Sequence, residues 1–473
     1  VHHRLIITQI SVILIHYPGL TAINKKTFSM NYFSTILKKT VLFLFLLIPA
    51  FAPGQERGAM SLEDVMSFIH IDYNTARINY DGSRVAYSAS PDRGDPYGVL
   101  VSDDAGSIWE YERGTDPRFS TSGQWLLFTR RPPYLDIEKG EEDIKDDLIL
   151  VDADQGSHHI YENIKQAEFG QGRDVLFIHH EFIKDSLLPD EVNEKLINAG
   201  SRLRLVDPGS GDERSIAFVD SWTTDSMATR LIYTVNDTVE SVNGLYFLDL
   251  TDPASEAVAL DTTGQAEYGS FSWYGGEPKL AYMRRDASLK DSLETASLFI
   301  WNGQGNPERM ITQDSVSGPY FLPFDNNISW RNDGNSFFFG RRHEVFGASP
   351  EETNNYISLA DSLRQAAEVD VWHANDPLIK THEKEMYGRI SRQNLLSLYD
   401  FESGRIIWLA CEDVDQLSAS AEGSHVLAST NKPYSRRISW EGWLSDIYLM
   451  DVKTGNRNRI LREYQGSVSL SPC

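Results

Sequence analysis

Residues that could do chemistry are plentiful in this sequence, but their spacing rarely fits a catalytic arrangement. A serine hydrolase of the α/β class needs the pentapeptide Gly-x-Ser-x-Gly, because its nucleophile sits on a strained strand-to-helix turn. No such pentapeptide occurs in the 473 residues. The stretch His179-His180-Glu181 lacks the second His, one helical turn later, that a zinc site of this type requires. The sequence therefore predicts no catalytic residue, no metal site and no cofactor.

The pair Trp372-His373 is the most unusual combination of side chains in the chain. Two interpretations stay open for it. Trp372 is an aromatic anchor that pins a long insertion, or Trp372 and His373 contact a substrate. Paired carboxylates could serve a glycosidase, but Asp and Glu are so abundant that no pair stands out, and the recurrent Asp residues are explained by turns.

A repeated unit organises these residues, and the stretch from Gln416 to Gly455 shows it. Its opening half is an apolar run, a turn at Glu422-Gly423 and a second apolar run. Its closing half is an apolar run that ends at Asp451 and the Gly four residues later. Opening halves occur at 78–87, 117–128, 167–177, 221–233, 271–282, 328–339 and 417–428. Closing halves occur at 99–106, 148–156, 203–211, 245–249, 298–302, 396–404 and 447–455.

Short apolar runs bounded by Gly, Asp and Ser are typical of β-strands. Repeats of roughly 40–50 residues built only from strands and turns are the signature of a β-propeller. We therefore predict an all-β fold, a β-propeller of four-stranded blades with seven repeats, the start of an eighth at 466–472 and short helical insertions. A long β-sandwich or a β-solenoid fits the seven paired copies less well.

The charge of the chain limits its partners. Past residue 54 it carries 39 Lys and Arg against 68 Asp and Glu. So acidic a surface excludes nucleic acid and anionic membranes as expected partners. Two cysteines, Cys411 and Cys473, cannot form a disulfide framework.

The N-terminal region has the features of a targeting segment. Lys38-Lys39 precede the apolar run Val41–Ile48, and Ala52-Pro-Gly54 supplies a cleavage site with small residues. We predict that 1–29 is an over-extended N-terminus, that 30–54 is a signal peptide starting at Met30, and that 55–473 is the propeller domain. The expected location is secreted or periplasmic, with no stable membrane span. A retained membrane anchor is the alternative.

Three helical segments are expected outside the strands. Ser61 and Asp64 form a capping box for a helix that extends to Ile69. A second helix is expected within 189–200, between Pro and Gly. The largest insertion, at about 342–394, is expected to start a helix at Ser349-Pro-Glu-Glu352.

The repeated turns, such as Asp81-Gly-Ser-Arg-Val-Ala-Tyr87, resemble those in the propeller of prolyl-oligopeptidase-family (S9) serine peptidases. Three stretches make this resemblance more specific to the long, secreted bacterial members of the family. They are 61–66, Val369-Asp-Val-Trp-His373 with Asp376-Pro377, and 435–440 with 445–449. The resemblance covers about 60–472. Ala374-Asn375 depart from the bulkier, more basic pair expected there, so contacts of that loop are not carried over.

The resemblance implies a propeller that precedes an α/β-hydrolase domain and limits access to it, so that peptides reach the active site. Here the chain ends in mid-blade at Cys473. The expected function is thus the substrate-gating, non-catalytic part of a serine peptidase, with the catalytic domain missing. Two alternatives remain. One is a stand-alone periplasmic binding module of the Tol-system type, and the other is a hydrolase with a carboxylate site in its own pore.

Overall fold

The computed structural model describes residues 60–103, 106–141, 144–184, 187–263, 265–275, 277–286, 295–344, 373, 376, 378 and 380–470. The chain divides into two units, Val1–Val65 and Met66–Cys473. Of the segments predicted before residue 60, the over-extended N-terminus and the signal peptide lie outside the described residues, as do Trp372 and the helix expected from Ser349.

Helix α1 (Leu62–Met66) begins with the predicted capping box. The Asp64 backbone N–H donates to Ser61 Oγ at 3.1 Å, and the Ser61 N–H donates to Asp64 Oδ2 at 2.8 Å. The helix is shorter than predicted. Ile69, expected on its apolar face, starts a strand and pairs with Pro91, because sheet pairing overrides the helical spacing there.

Twenty-eight strands form six antiparallel sheets in the described part of the chain. The first sheet has β1 (Ile69–Ile78), β2 (Arg84–Pro91), β3 (Tyr97–Ser102) and β4 (Ile108–Glu112). The second has β5 (Gly114–Phe119), β6 (Trp125–Arg130), β7 (Asp147–Asp152) and β8 (His158–Tyr161). The third has β9 (Ile164–Phe169), β10 (Leu176–His180), β11 (Ser201–Val206), β12 (Glu213–Thr224), β13 (Arg230–Val235), β14 (Gly244–Asp249) and β15 (Val258–Asp261).

Three further sheets complete the series. The fourth has β16 (Ala266–Tyr274), β17 (Lys279–Asp286), β18 (Ser297–Trp301) and β19 (Glu308–Ile311). The fifth has β20 (Tyr320–Phe321), β21 (Ser329–Trp330), β22 (Ser336–His343), β23 (Leu395–Asp400) and β24 (Arg405–Trp408). The last has β25 (Gln416–Ser418), β26 (His425–Thr430), β27 (Ser445–Asp451) and β28 (Arg457–Tyr464).

The strand order follows the sequence within every sheet except the fifth, as the repeat predicts for a β-propeller. In the fifth sheet, β20 and β21 both pair with β22. The third sheet differs, because it joins two copies of the repeat through the long strand β12. Val219 pairs with Ser201 of β11 and with Val235 of β13, and the register shifts on both sides of it. Residues before Val219 complete one copy, and residues after it start the next.

The core consists of apolar clusters between successive sheets. Leu126 and Phe128 pack toward the first sheet, whereas Leu127, between them, packs toward the third. All three side chains are 0% exposed. The apolar run of this strand is thus buried on both faces of the sheet. Stacking in series is what gives a propeller its stability.

Helices occupy the connections between strands. They are α2 (Tyr134–Lys139), α3 (Asp190–Ile197), α4 (Lys380–Ile390) and α5 (Ile438–Glu441). Helix α3 confirms the helix predicted within 189–200, whereas α2, α4 and α5 were not predicted. No helix in the described ranges is long and apolar enough to cross a membrane.

Candidate functional site

One face of the propeller carries the long connections. In each repeat the second strand ends where the third begins, because the two are antiparallel. The connections between them are 92–96, 131–146, 181–200, 236–243, 287–296, 344–394 and 431–444. All of them start from the same end of their sheets, and helices α2 to α5 lie within them. We call this the insertion face. Long connections held on a rigid scaffold are where binding sites concentrate.

The opposite face is built from short turns, and the recurrent Asp residues belong to it. Asp81 Oδ1 accepts the N–H of Ser83 at 2.9 Å, and Asp451 Oδ1 accepts the N–H of Thr454 at 2.7 Å. Gly455 closes the second of these turns at a φ of 70°, which a side chain would strain. Serine and threonine hydrogen bonds lower the pKa of Asp81 and of Asp451. The interpretation of these carboxylates as turn caps is therefore confirmed.

A large cavity lies on the insertion face, where the first three sheets meet. Its volume is about 730 Å³, which is within the range of ligand sites. Three separate connections and the strands β2, β5 and β9 line it, through Ser90, Pro91, Asp92, Gly94, Pro96, Thr115, Arg131, Pro132, Tyr134, Ile137, Ile144, Lys145, Asp146, Ile164, Lys165 and Glu181. We call it the three-sheet cleft.

The walls of the three-sheet cleft are tied together across the connections. Asp95 Oδ1 accepts the N–H of Tyr134 at 2.7 Å, so the first connection caps the helix of the second. Helix α2 ends at Gly140 in the left-handed conformation, which turns the chain back toward the sheet. The Ile164 N–H donates to the Asp146 carbonyl at 2.7 Å and joins the second connection to the third sheet.

Opposite charges face each other in the three-sheet cleft. Arg131 Nη1 lies 2.9 Å from Asp146 Oδ2. Burial raises the pKa of Asp146, and the charge of Arg131 opposes that effect. Lys145, Lys165 and Glu181 form no ion pair with any described residue. In a strongly acidic chain, the cleft is thus a charge-balanced region with groups of both signs available to a ligand.

A second cavity of about 280 Å³ shares Arg131, Asp146, Ile164 and Lys165 with the three-sheet cleft. It continues to Asp116 and Gln166 on the first strands of their repeats. Asp116 has a φ of 49°, and the register of β5 shifts between Thr115 and Arg118. Such bulges re-aim side chains next to binding sites. The cleft thus extends from the connections toward the strands that begin each repeat.

A third cavity, of about 260 Å³, lies between the fifth and last sheets. His343 Nε2 lies 3.2 Å from Glu412 Oε1, and Lys432 Nζ lies 3.1 Å from Asp415 Oδ2. The other Asp415 oxygen is buried and has no hydrogen-bond partner among the described residues. The cavity is polar but only about one third of the volume of the three-sheet cleft.

Of the two predicted substrate contacts, His373 lines none of the three cavities described above. Trp372 lies outside the described residues. His373 is exposed, and its backbone N–H donates to Asp376 Oδ2 at 2.7 Å. The substrate contact of this pair stays a prediction.

The histidines singled out in the sequence have structural roles. His179 is 1% exposed, and its Nε2 lies 2.9 Å from the Val219 carbonyl. His180 is 7% exposed, and its Nδ1 lies 3.2 Å from the Glu162 carbonyl. Burial lowers the pKa of both, to about 4 for His180. Within the described ranges, no group of three or more His, Cys, Asp and Glu is arranged to hold a metal.

Pairing of β1 with β2 creates one arrangement that sequence reasoning missed. His70 lies opposite Ser90, with 3.5 Å between His70 Nε2 and Ser90 Oγ and 3.6 Å between His70 Nδ1 and Asp92 Oδ1. The order resembles a Ser-His-Asp triad. However, the two distances are long for hydrogen bonds, and the His70 and Asp92 side chains are 57% and 55% exposed. Water therefore competes for every contact, and the group is not an activated nucleophile.

Comparisons with known proteins show a distant likeness to solved propellers. The β-propeller domain of the trilobed protease from Pyrococcus furiosus is 14% identical, with a TM-score of 0.32, and the match covers 84% of this chain and all of that one. A prolyl endopeptidase is 11% identical, with a TM-score of 0.39, and covers 92% of this chain. A dihydro-heme d1 dehydrogenase is 10% identical, with a TM-score of 0.35, and the match covers 91% of this chain and 85% of that one.

The chain spans 55% of the length of the prolyl endopeptidase. No protein-family model matches the sequence, and no curated protein matches it. The matched solved structures include peptidases of the prolyl-oligopeptidase type, whose propeller turns the repeated turns of this sequence resemble. At these identities and TM-scores, however, the likeness carries no argument about activity.

Proposed function

We propose that this chain is the substrate-gating, non-catalytic propeller of a secreted prolyl-oligopeptidase-like serine peptidase, and that it handles peptides on its insertion face. The observation that carries the proposal is the three-sheet cleft, a large charge-balanced cavity on the face that holds the longest connections. Peptides offer both signs of charge and backbone polar groups, and this lining matches that chemistry.

The stretches that carry the family resemblance support the same face. The segment 435–440 lies in the connection between β26 and β27, and 445–449 starts the strand that follows it. The described residues of 369–377 belong to the connection between β22 and β23. These segments are thus at the end of the sheets where the three-sheet cleft opens, rather than at the turn face.

Gating requires that folded proteins be kept out while flexible chains enter. A cavity of about 730 Å³ accommodates a short extended segment but no folded domain. The acidic remainder of the surface, with a net charge of −24 for the chain, adds general repulsion toward acidic proteins. Secretion or a periplasmic location belongs to the proposal, since the signal-peptide features at 30–54 support it.

Photocrosslinking tests the proposal. The photoreactive residue p-benzoylphenylalanine replaces Ile137, which lines the cleft and is 50% exposed. The matched control carries it at Gln124, an exposed residue in a turn of the same sheet on the opposite face. Each variant is irradiated with peptides from a digest of an unfolded, alkylated protein. In a separate sample, it is irradiated with the same protein in its intact, native form.

We expect peptide adducts at position 137 with the digest, few with the native protein, and few at position 124 with either. Lys165→Glu should reduce the adducts at position 137, because it removes one of the free cations of the cleft. Equal labelling at both positions, or no peptide adduct at position 137, would reject the proposed role of this face.

A further inference from the structure

The three-sheet cleft contains two lysines that form no ion pair with any described carboxylate. Lys145 lies in the connection before β7 and is half-buried, and Lys165 lies near the start of β9 and is exposed. Both residues line the cleft. A chain of net charge −24 offers many carboxylates, so two cations left without one indicate a place for an anion from outside the chain.

One backbone hydrogen bond holds the two lysines on neighbouring stretches of the chain. β7 and β8 are antiparallel. Beyond β8 the chain stays beside the segment that precedes β7, because the Ile164 N–H donates to the Asp146 carbonyl at 2.7 Å. Lys145 and Lys165 are the next residues on these two stretches. Since the stretches run in opposite directions, both lysines lie on the same side of that bond.

A β-bulge sets Lys165 apart from the ladder of its own sheet. Gln166 pairs with His179 of β10 and Ile164 pairs with His180, so Lys165 is the extra residue without a counterpart. Bulges of this kind re-aim a side chain and are common next to binding sites. Lys165 accordingly lines both the three-sheet cleft and the second cavity that continues from it.

The carboxylates that follow Lys145 in the sequence are already held by arginines. Asp146 Oδ2 lies 2.9 Å from Arg131 Nη1, and Asp147 Oδ2 lies 3.1 Å from Arg130 Nη1. A planar guanidinium matches a carboxylate better than an ammonium does, so the arginines keep these partners. The two lysines on adjacent backbone stretches repel each other, and an anion bound between them removes that repulsion.

Apolar side chains adjoin the two lysines. Ile144 precedes Lys145 in the sequence and lines the cleft, as do Pro132, Tyr134 and Ile137 of the same connection. Ile137 is 50% exposed, which leaves apolar area for a ligand to cover. A ligand that suits this end of the cleft therefore carries a carboxylate and an apolar group close together.

The C-terminal residue of a peptide has this combination, because its α-carboxylate and its side chain are attached to the same carbon. An acidic side chain offers a carboxylate without the apolar group. Asp92 and Glu181 enter the cleft from the first and third connections, and they disfavour further negative charge on the ligand. The lining thus favours a peptide whose one carboxylate is at its end and whose last residue is apolar.

We propose that Lys145 and Lys165 bind the C-terminal α-carboxylate of a peptide, with the side chain of its last residue against Ile137 and Ile144. The inference rests on the proposed function, since it starts from a cleft that handles peptides, and it adds which peptides the cleft selects. A loop of an intact folded protein has no free carboxylate. Such loops are therefore excluded by their chemistry as well as by the size of the domain that carries them.

Fluorescence anisotropy with three peptides, each carrying a neutral BODIPY dye at its N-terminus, tests the proposal on the purified chain. The first peptide is Gly-Ser-Gly-Ser-Ala-Leu with a free C-terminal carboxylate, and the second is its C-terminal amide. The third is the amide of Gly-Ser-Gly-Ser-Ala-Glu, in which the carboxylate belongs to a side chain. The variants are Lys145→Gln, Lys165→Gln and the two combined. Lys139→Gln is the control, because Lys139 lies in the same connection with a side chain that is 63% exposed.

We expect the free acid to bind about tenfold or more tightly than its amide at low salt, because the amide loses the charge-assisted contacts. The combined variant should bind the acid as weakly as the amide, and each single variant should lose part of the difference. Lys139→Gln should keep the full difference. High salt should narrow it, since the contacts are exposed to solvent.

Three results would overturn this inference while leaving a peptide cleft in place. They are equal affinities of acid and amide for the wild type, a Glu amide that binds as tightly as the free acid, and a preference that survives in the combined variant. Failure of the free acid to bind would overturn it as well. The proposed function falls with it only if the peptide adducts at position 137 are also missing.

Discussion

The hydroxyl of Tyr434 donates a 2.5 Å hydrogen bond to the buried carboxylate of Asp446. This contact ties the connection 431–444 of the insertion face to the beginning of strand β27. Arg459 Nη1 lies 3.0 Å from the other oxygen of Asp446, and the Glu463 N–H donates to the first oxygen at 3.1 Å. Burial alone would raise the pKa of Asp446, but these donors together lower it. The loop that carries the exposed Trp440 is therefore held on a fixed anchor.

Removing this anchor should destabilise the protein. Tyr434→Phe deletes the donor and leaves one buried carboxylate oxygen less well satisfied, which costs about 2 kcal/mol of unfolding free energy. Urea unfolding checks this value. Tyr80→Phe is the control, because Tyr80 is 96% exposed and should change the unfolding free energy little. Equal stabilities for the two variants would contradict the assignment of Tyr434 as an anchor.

Buried His180 should make stability depend on pH. Its pKa is lowered to about 4, chiefly by burial and then by the charge of Arg202. The unfolded chain, with a His pKa near 6.5, binds the proton more readily. The contribution of neutral His180 is therefore complete above about pH 6.5 and is lost as the pH falls toward 4, by roughly 2–3 kcal/mol. Thermal unfolding measured across this interval shows the effect.

A substitution isolates the His180 contribution. His180→Asn keeps a donor for the Glu162 carbonyl but cannot titrate, so it should flatten the stability profile between pH 4 and 6.5. His159→Gln, at an exposed strand position, should leave the profile unchanged. Asp446 acts only at lower pH, since a lowered carboxyl pKa loses its contribution below the ordinary value of about 4. An unaltered profile in His180→Asn would contradict this account.

Arg341 is buried between two aromatic rings. Its guanidinium carbon lies 4.0 Å from the ring centre of Tyr320 and 4.3 Å from that of Trp408. Its Nη2 donates to the Ala410 carbonyl at 3.4 Å, and the two rings add to this compensation for lost water. A double-mutant cycle with Arg341→Met and Trp408→Leu should give a coupling energy of about 1–2 kcal/mol.

The control for this cycle pairs Arg341→Met with Tyr80→Leu. Tyr80 is almost fully exposed and belongs to the first sheet, so the two effects should add. Additive effects of Arg341→Met and Trp408→Leu as well would show that the stacking contributes nothing to stability.

The purified chain should not react with a serine-directed fluorophosphonate. Ser90 lies next to a His and an Asp in the order of a triad, but its contacts are long and exposed to water. General acid–base help from such a His contributes at most roughly 10²–10⁴-fold. Gel fluorescence after labelling, with a heat-denatured sample for comparison, checks this. Labelling that disappears in Ser90→Ala would prove the chain catalytic in its own right.

The sequence specified the repeat because strands and turns are local patterns. Asp81 and Asp451 could be assigned as turn caps from spacing alone, since each carboxylate bonds a backbone N–H two or three residues later. The three-sheet cleft could not be predicted, because Asp92, Lys145, Lys165 and Glu181 meet only after three sheets have packed. Likewise, the approach of His70 to Ser90 depends on strand register.

Helix α2 shows a different limit of local reasoning. The segment 134–139 is rich in charges and has little apolar periodicity, a pattern that is typical of a solvated loop. Its first turn is capped by Asp95 from another connection, a contact that no local pattern reveals. Pairing of Ile69 with Pro91 likewise converted the expected end of helix α1 into a strand.

The central claim, that this is the gating part of a serine peptidase, is tested most directly by the gene itself. The measurement is the DNA sequence downstream of the Cys473 codon, translated in all reading frames. We predict that it encodes a Gly-x-Ser-x-Gly elbow followed by an Asp and then a His, the order of the triad in α/β-hydrolases. A stop codon followed only by non-coding sequence would contradict the account and leave a stand-alone binding module as the better description.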